Sequence, residues 1–164
     1  MIAESQGGLC MKLHAPMPSL DGAQWLDKQE VTKEMLIGKP TFFHFWSVSC
    51  DLCKYGLDTI NFLVTNYSND LNVIAVHMPR NEQDMIVQNV KAVRDYYKMT
   101  QPIIVDNDFL ITDRFRNRYV PTYYVFDNNG LLRHYQVGGG SLRILERRIQ
   151  RIIEEHRAKN NKLY

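Results

Sequence analysis

The chain of 164 residues has only three cysteines and six prolines, and it contains no long run of apolar residues. Because a membrane-spanning helix needs roughly 20 apolar residues in succession, we predict no such span. The formal net charge is +2, so there is no basic excess for binding nucleic acid or an anionic membrane surface. With 45% hydrophobic and 23% charged residues, the composition is typical of a globular protein with one core.

The first ten residues lack the basic and apolar segments of a secretory signal peptide. We therefore predict a cytoplasmic protein, in which two nearby cysteines would cycle between thiol and disulfide rather than form a permanent crosslink. Residues 1–11 are predicted to be a disordered tail, residues 12–158 the folded domain and residues 159–164 a C-terminal tail. Cys10 lies in the first tail and is predicted to have no function.

Strand-like and helix-like segments alternate along the chain. This order predicts an α/β fold, with a central mixed β-sheet flanked by helices on both faces and an N-terminal extension. Apolar runs predict buried parallel strands, and Asn128-Asn129-Gly130 predicts a hairpin between the last two strands. The predicted strands cover residues 41–46, 72–77, 102–106, 122–127 and 131–137. The predicted helices cover residues 50–67, 81–98 and 108–119, and a final helix begins after Ser141.

The segment from Phe42 to Lys54 carries the strongest functional signal, because an aromatic strand leads directly to Cys50 and Cys53 at the start of a helix. A helix N-terminus has unpaired N–H groups and the positive end of the helix dipole, so it stabilises a thiolate placed there. Residues three apart on a helix are neighbours, which suits reversible disulfide closure. We predict that Cys50 is the exposed attacking thiolate and that Cys53, on the inward face, resolves the mixed disulfide.

Two other interpretations of the cysteine pair are open. The pair could be half of a structural zinc site, but the third cysteine and the five histidines form no second ligand pair at a suitable spacing. The pair could also be two inert buried thiols, which would leave their position at a strand–helix junction unexplained. We predict a redox-active dithiol that uses no metal and no organic cofactor.

Five short motifs follow one another in a fixed order. They are Gly38-Lys39-Pro40, Phe45-Trp46 followed by the Cys50/Cys53 pair, Tyr119-Val120-Pro121-Thr122, Asp127-Asn128-Asn129-Gly130 and Gly138-Gly139. This ordered set, over about residues 12–158, resembles the thioredoxin superfamily and, within it, the ResA/TlpA group. The resemblance implies a thioredoxin fold and a thiol–disulfide oxidoreductase, with Cys50 as nucleophile and Cys53 as resolving thiol. It also implies that Pro121 is a cis-proline facing the pair, and that the preceding residue offers backbone hydrogen bonds to a substrate polypeptide.

Three residues depart from the pattern of this family. Ser49 stands where a bulky residue commonly precedes the first cysteine. Gly56 stands where ResA-like proteins have an acid, so help from that acid in proton transfer is not expected. Asp58 stands where many relatives have a helix-kinking proline, and we therefore predict a straighter helix after Cys50.

His44 has two possible roles. It lies at the strand position where thioredoxin has its buried acid, and strand alternation places it on the same face as Phe42 and Trp46. A histidine that titrates near neutrality could take the proton from Cys53 during resolution. Alternatively, His44 is a neutral core residue that is hydrogen-bonded to a carbonyl group. The candidate site residues are thus Cys50, Cys53, Pro121, His44 and Trp46.

Together these features predict an enzyme that reduces disulfides in cytoplasmic proteins and receives its electrons from a partner reductase. One alternative is a thiol peroxidase, a class that requires a Ser or Thr three residues before its reactive cysteine, as Ser47 is here, and a nearby arginine. Another is a non-catalytic redox or metal-binding interaction module. No long apolar stripe is left outside the predicted core, so we predict a monomer without a nucleic-acid or membrane partner.

Overall fold

Five strands form one mixed sheet in the computed structural model, which describes residues 10–163. They are β1 (Thr41–Trp46), β2 (Asn72–His77), β3 (Ile103–Val105), β4 (Thr122–Phe126) and β5 (Leu132–Val137). Their order across the sheet is β3-β2-β1-β4-β5. The first three strands are parallel, whereas β4 runs antiparallel to both β1 and β5. The predicted α/β fold with a mixed sheet is confirmed.

The helices alternate with the strands. They are α1 (Lys33–Leu36), α2 (Asp51–Tyr55), α3 (Leu57–Asn66), a 3₁₀ helix (Gln83–Met85), α4 (Val87–Tyr97), α5 (Leu110–Arg114) and α6 (Leu142–Asn161). The Ser141 hydroxyl accepts a hydrogen bond from the Ile144 N–H at 3.3 Å, so Ser141 caps α6 as its sequence position predicts. The helix continues to Asn161, beyond the domain boundary predicted at residue 158.

All six residues of β1 are buried, and their side chains divide between two apolar layers. The first layer, beneath α2, α3, α4 and α6, contains Phe42 and Trp46 together with both cysteines of the pair. The second layer, beneath α1, α5 and the N-terminal extension, contains Phe43 and Phe45, whose rings pack against Phe115. Helices therefore flank both faces of the sheet, and β1 lies at its centre.

The N-terminal extension lies against the second layer and reaches both edges of the sheet. Pro16 pairs with Leu131 beside β5, and Trp25 pairs with Ile104 in β3. Met11, which is predicted to belong to the first tail, packs against the second layer. Residues 1–9 and 164 of the two predicted tails lie outside the described residues.

The helix predicted over residues 50–67 is not continuous, because Gly56 interrupts it and separates α2 from α3. A Cβ atom added at Gly56 would lie 3.1 Å from the hydroxyl oxygen of Tyr123. The absence of a side chain at this position therefore makes room for Tyr123. Glycine is also a poor helix former, so the helix can end here without a proline.

Two other predicted helices are shorter than their sequence patterns indicate. Over residues 81–98 the chain first forms the 3₁₀ helix, and α4 begins only after Ile86, whose backbone is extended (φ −75°, ψ 111°). Over residues 108–119 only α5 is helical. It cannot continue through Arg116, whose φ of 53° lies in the left-handed region.

Gly130 supplies a fold prediction, because its φ of +76° disfavours a side chain and an added Cβ would collide with Ile37 Cδ1. We expect Gly130→Ala to lower the free energy of unfolding by about 1–2 kcal/mol. The control is Gly140→Ala, whose new Cβ would lie 3.8 Å from its nearest neighbour, Gln136 Nε2. Denaturant unfolding would measure both variants, and equal losses of stability would contradict this explanation.

Candidate active site

Cys50 and Cys53 form a disulfide at the start of α2, with their Cα atoms 5.3 Å apart. Cys50 is the residue just before the helix, and its Sγ accepts a hydrogen bond from the Cys53 N–H at 3.1 Å. Its carbonyl accepts a hydrogen bond from the Lys54 N–H at 3.2 Å. A sulfur at this position faces an N–H group and the positive end of the helix dipole, so negative charge on Cys50 is stabilised once the disulfide is reduced.

Both cysteines are buried in this disulfide form, with exposed fractions of 3% for Cys50 and 2% for Cys53. The prediction of an exposed Cys50 is therefore wrong for the oxidised state. The physical reason is that Cys50 packs into the apolar layer that contains Trp46. The exposed surface of the motif comes from the two intervening residues, Asp51 and Leu52.

The loop between β1 and α2 is hydrogen-bonded to the end of β2. The Ser47 hydroxyl donates to the Met78 carbonyl, and the Val48 N–H donates to His77 Nε2 at 3.1 Å. Because Nε2 accepts, the proton of the neutral His77 ring lies on Nδ1, which is buried without a partner among the described residues. Burial lowers the pKa of His77 to about 4, and its ring lies edge-on to Trp46 with the centroids 4.9 Å apart.

Ser49, the next residue of the same loop, makes four hydrogen bonds with Asp84 and Arg80. The N–H and the hydroxyl of Ser49 donate to the Asp84 carboxylate at 3.1 and 2.8 Å. Arg80 donates from Nε to the Ser49 hydroxyl at 3.1 Å and from Nη2 to the Ser49 carbonyl at 2.6 Å. The Arg80 N–H also donates to Asp84 at 2.9 Å. We call Ser49, Arg80 and Asp84 the loop clamp.

His77, Arg80 and Asp84 are not among the site residues predicted from the sequence. A signal was present, because two neighbouring parallel strands end at the same edge of a sheet, and polar residues that follow them meet there. The polar residues after β2 could therefore have been placed beside the cysteines from the strand order alone. The amphipathic pattern over residues 81–98 instead favoured a continuous helix.

Trp46 lies beneath the disulfide rather than at the surface. Only 1% of the residue is exposed, and it shares an apolar layer with Cys50 and Cys53. Its Nε1 is buried without a hydrogen-bond partner in residues 10–163. These observations give Trp46 a packing role below the redox pair.

His44 is fully buried two residues before Trp46 and on the same face of β1. Its Nε2 lies 2.9 Å from Nε2 of Gln101, so the amide N–H donates to an unprotonated ring nitrogen, and the ring stacks on Phe42. Burial lowers the pKa of His44 to about 3, whereas the relay hypothesis requires titration near neutrality. Such a weak base cannot take up a thiol proton efficiently near pH 7. The geometry thus supports the core role, with a side-chain amide in place of the expected carbonyl.

Pro121 follows a cis peptide bond with Val120 and is buried. The Pro121 carbonyl accepts a hydrogen bond from the Gly138 N–H at 2.8 Å. The side chain of Val120 packs against the apolar layer that contains the two cysteines. None of the loop hydrogen bonds in the described residues involves the Val120 backbone. Its N–H and C=O are therefore available to pair with an extended peptide.

A pocket of about 220 Å³ opens beside the exposed side of α2. Leu52 and Tyr55 line one side, and Tyr123 and residues 139–143 line the other. Leu52 is 60% exposed and Tyr55 is 84% exposed. The loop before α6 approaches α2 closely, because a Cβ added at Gly139 would lie 3.2 Å from Leu52 Cδ2. This concave, largely apolar surface can hold a side chain of a bound polypeptide next to the disulfide.

Metal ligands do not converge in the part of the chain that the structure describes, where no group of three or more His, Cys, Asp or Glu side chains could hold an ion. The helices of residues 10–163 include none that is both long and apolar enough to span a membrane.

The lowered pKa of His44 predicts how stability depends on pH. The folded protein binds a proton at His44 only near pH 3, whereas the unfolded chain binds it near pH 6.5. The unfolded state therefore holds more protons between these values, and the free energy of unfolding falls as the pH falls through this window. Between pH 7 and pH 5 we expect His44 to account for a loss of about 2 kcal/mol.

Denaturant unfolding of His44→Gln at both pH values would measure this contribution, since the variant should lack that part of the loss. His14→Gln is the matched control, because it makes the same substitution at an exposed position. If His44→Gln lost as much stability as the unchanged protein between pH 7 and pH 5, the argument from burial would fail.

The comparisons with known proteins agree with this site. Residues 13–135 match the model of the AhpC/TSA family. The thiol-disulfide oxidoreductase YkuV of Bacillus subtilis (strain 168) is 50% identical over 147 residues, which cover 88% of this chain and 99% of YkuV. The thiol-disulfide oxidoreductase ResA of Halalkalibacterium halodurans is 25% identical over 131 residues, which cover 79% of this chain and 72% of ResA.

A solved structure is similar as well. The solution structure of a thioredoxin-like protein in the oxidized form has a TM-score of 0.80 and 49% sequence identity, with 88% of this chain and 99% of that chain covered. The resemblance that the ordered motifs predict is thereby confirmed. The chain belongs to the AhpC/TSA family and, like YkuV, is a thioredoxin-like thiol–disulfide oxidoreductase.

Proposed function

We propose that this oxidoreductase reduces disulfides in proteins, with Cys50 as the nucleophile and Cys53 as the resolving thiol. In the first step the Cys50 thiolate attacks one sulfur of the substrate disulfide, forms a bond to it and releases the other substrate sulfur as a thiolate. In the second step the Cys53 thiolate attacks Cys50 Sγ, closes the internal disulfide and releases the second substrate thiolate. Two electrons pass to the substrate, whose two sulfurs also take up the two protons.

The hydrogen bond from the Cys53 N–H to Cys50 Sγ carries this proposal. It distinguishes the two sulfurs, because Cys50 Sγ alone lies at the N-cap of α2. Both cysteines pack in the same apolar layer, so burial does not distinguish them, and the difference lies in the N-cap position of Cys50. The order of attack follows from this asymmetry, because the more stable thiolate reacts with the substrate first.

Two surfaces support a polypeptide as the substrate. The Val120 backbone offers an N–H and a C=O next to the layer that holds the cysteines, which suits an extended chain. The pocket between Leu52 and residues 139–143 can take a side chain of the same chain. A small disulfide could use only one of these surfaces, whereas a polypeptide could use both.

The charge of Asp51 supports a role as a reductant, in which electrons pass from the cysteine pair to the substrate. Its carboxylate is exposed beside Cys50 in the first turn of α2, where its charge opposes that of the thiolate. The residues between the cysteines, Asp51 and Leu52, include no histidine that would favour the reduced form. We therefore infer a reductant that receives electrons from a partner reductase, and its cytoplasmic location stays a prediction.

Ser47 bears on the peroxidase alternative. That interpretation requires the Ser47 hydroxyl to act on Cys50, but the hydroxyl donates to the Met78 carbonyl instead. Ser47 is also fully buried, so it has no access to a peroxide from solvent. The position of Ser47 therefore favours disulfide exchange over peroxide reduction.

The redox midpoint tests the reductant role. We expect the midpoint potential of the Cys50–Cys53 pair to lie closer to that of thioredoxin, about −270 mV, than to that of the oxidant DsbA, about −120 mV. Equilibration in glutathione and dithiothreitol buffers, followed by mass analysis of the blocked thiols, would measure it. Cys10→Ser should have the same midpoint, because Cys10 is a free, exposed thiol outside the pair. A midpoint near that of DsbA would overturn the reductant role.

A further inference from the structure

We propose that the loop clamp of Ser49, Arg80 and Asp84 is a positioning device for Cys50. It fixes the main chain one residue before the nucleophile, and it holds the Arg80 guanidinium at the same peptide, where the positive charge favours the Cys50 thiolate. This inference rests on the proposed role of Cys50 as the attacking thiol.

Every polar group of Ser49 is bound within the clamp. Its N–H and hydroxyl donate to the two carboxylate oxygens of Asp84, and its carbonyl and hydroxyl oxygens accept from Arg80. With both ends of the residue fixed, the Ser49–Cys50 peptide has a single orientation. The direction of the Cys50 side chain is therefore set before a substrate arrives, which lowers the entropy cost of the attack.

Asp84 anchors the clamp inside the protein. Only 1% of the residue is exposed, and its carboxylate accepts three hydrogen bonds, from the Ser49 N–H, the Ser49 hydroxyl and the Arg80 N–H. The Asp84 N–H in turn donates to Asn81 Oδ1 at 2.9 Å. A buried carboxylate that accepts three hydrogen bonds holds its donors firmly, because losing these bonds would leave a buried charge without hydrogen-bond partners.

Arg80, in contrast, is exposed, and an exposed arginine side chain usually keeps much of its rotamer freedom. Here both Nε and Nη2 are bound to Ser49, so the planar guanidinium is held in one place. Bond lengths place the Ser49 carbonyl oxygen within roughly 5 Å of Cys50 Sγ. Because the Arg80 guanidinium is bound to this oxygen, its positive charge lies within about 8 Å of the sulfur. At that separation a positive charge favours the thiolate even near the protein surface.

Alkylation of reduced Cys50 tests the clamp. In a Cys10→Ser background, iodoacetamide reacts with the thiolate, and mass spectrometry separates the Cys50 and Cys53 peptides. For Arg80→Gln we expect the pH of half-maximal Cys50 alkylation to rise by about half to one unit, so that the rate at pH 7 falls about three- to tenfold. The other charged or titratable groups around the pair stay unchanged, namely Asp51 and Lys54 on α2, His77 at the end of β2 and Tyr123 on β4.

Arg114→Gln is the matched control. Arg114 also holds a loop through main-chain carbonyls, those of Ser19 and Asp21, but it does so beside α5 and the N-terminal extension. We expect this variant to keep the alkylation profile of the unchanged protein. A shift as large as that of Arg80→Gln would mean that the loss of any positive charge suffices, and it would overturn the proposal.

Ser49→Ala separates positioning from charge, because it removes the hydroxyl that joins Arg80 to Asp84 and changes no charge. We expect a smaller shift in the same direction, whereas Ser49→Thr, which keeps the hydroxyl, should retain the original profile. The clamp is overturned if Arg80→Gln has no effect, or if Arg80→Gln shifts the profile and Ser49→Ala does not. Either result would leave the reductant role intact, since that role is tested separately by the redox midpoint of the unchanged protein.

Discussion

The loop from β1 to α2 starts at the end of a strand that is buried along its whole length, so the N–H groups of this loop need partners inside the protein. The chain after β2 supplies them, because parallel pairing brings the ends of β1 and β2 to the same edge. His77 and Asp84 accept hydrogen bonds from the part-buried N–H groups of Val48 and Ser49, and each such bond contributes about 1 kcal/mol to stability. These hydrogen bonds fix the loop that leads to Cys50, and the position of Cys50 therefore depends on them.

The same constraint determines the chemistry of the pair. A fixed loop places Cys50 at the N-cap of α2, where the Cys53 N–H faces its sulfur. The helix is short because Gly56 ends it and makes room for Tyr123, which lines the pocket beside Leu52. The attacking thiol, the resolving thiol and the binding pocket are therefore parts of a single short helix and its contacts.

Local signals account for what the sequence predicted correctly. Apolar runs identified the strands, the Asn128-Asn129-Gly130 turn identified the hairpin, and the cysteine spacing identified the redox pair. The missed features depend on contacts between distant segments. Ser49 is 31 residues from Arg80 and 35 from Asp84, and no local pattern records either contact.

The sequence left two roles open for His44 for a related reason. Its titration depends on complete burial and on a neutral partner, Gln101, which lies 57 residues away. The pattern of β1 predicts that the strand is buried, but it does not predict whether a charged or a neutral group faces the histidine. Gly56 is similar, because the need for a missing side chain there comes from Tyr123 on another strand.

The assignment of Cys50 as the attacking thiol and Cys53 as the resolving thiol is tested most directly by trapping the mixed disulfide. Reduced Cys53→Ser, in a Cys10→Ser background, would be mixed with a peptide that contains one disulfide, and the products would be identified by mass spectrometry. The account predicts a stable mixed disulfide between the peptide and Cys50, because the resolving thiol is absent. It also predicts little or no adduct for the matched Cys50→Ser protein. Equal trapping on Cys53 in that variant would contradict the assignment of Cys50 as the attacking thiol.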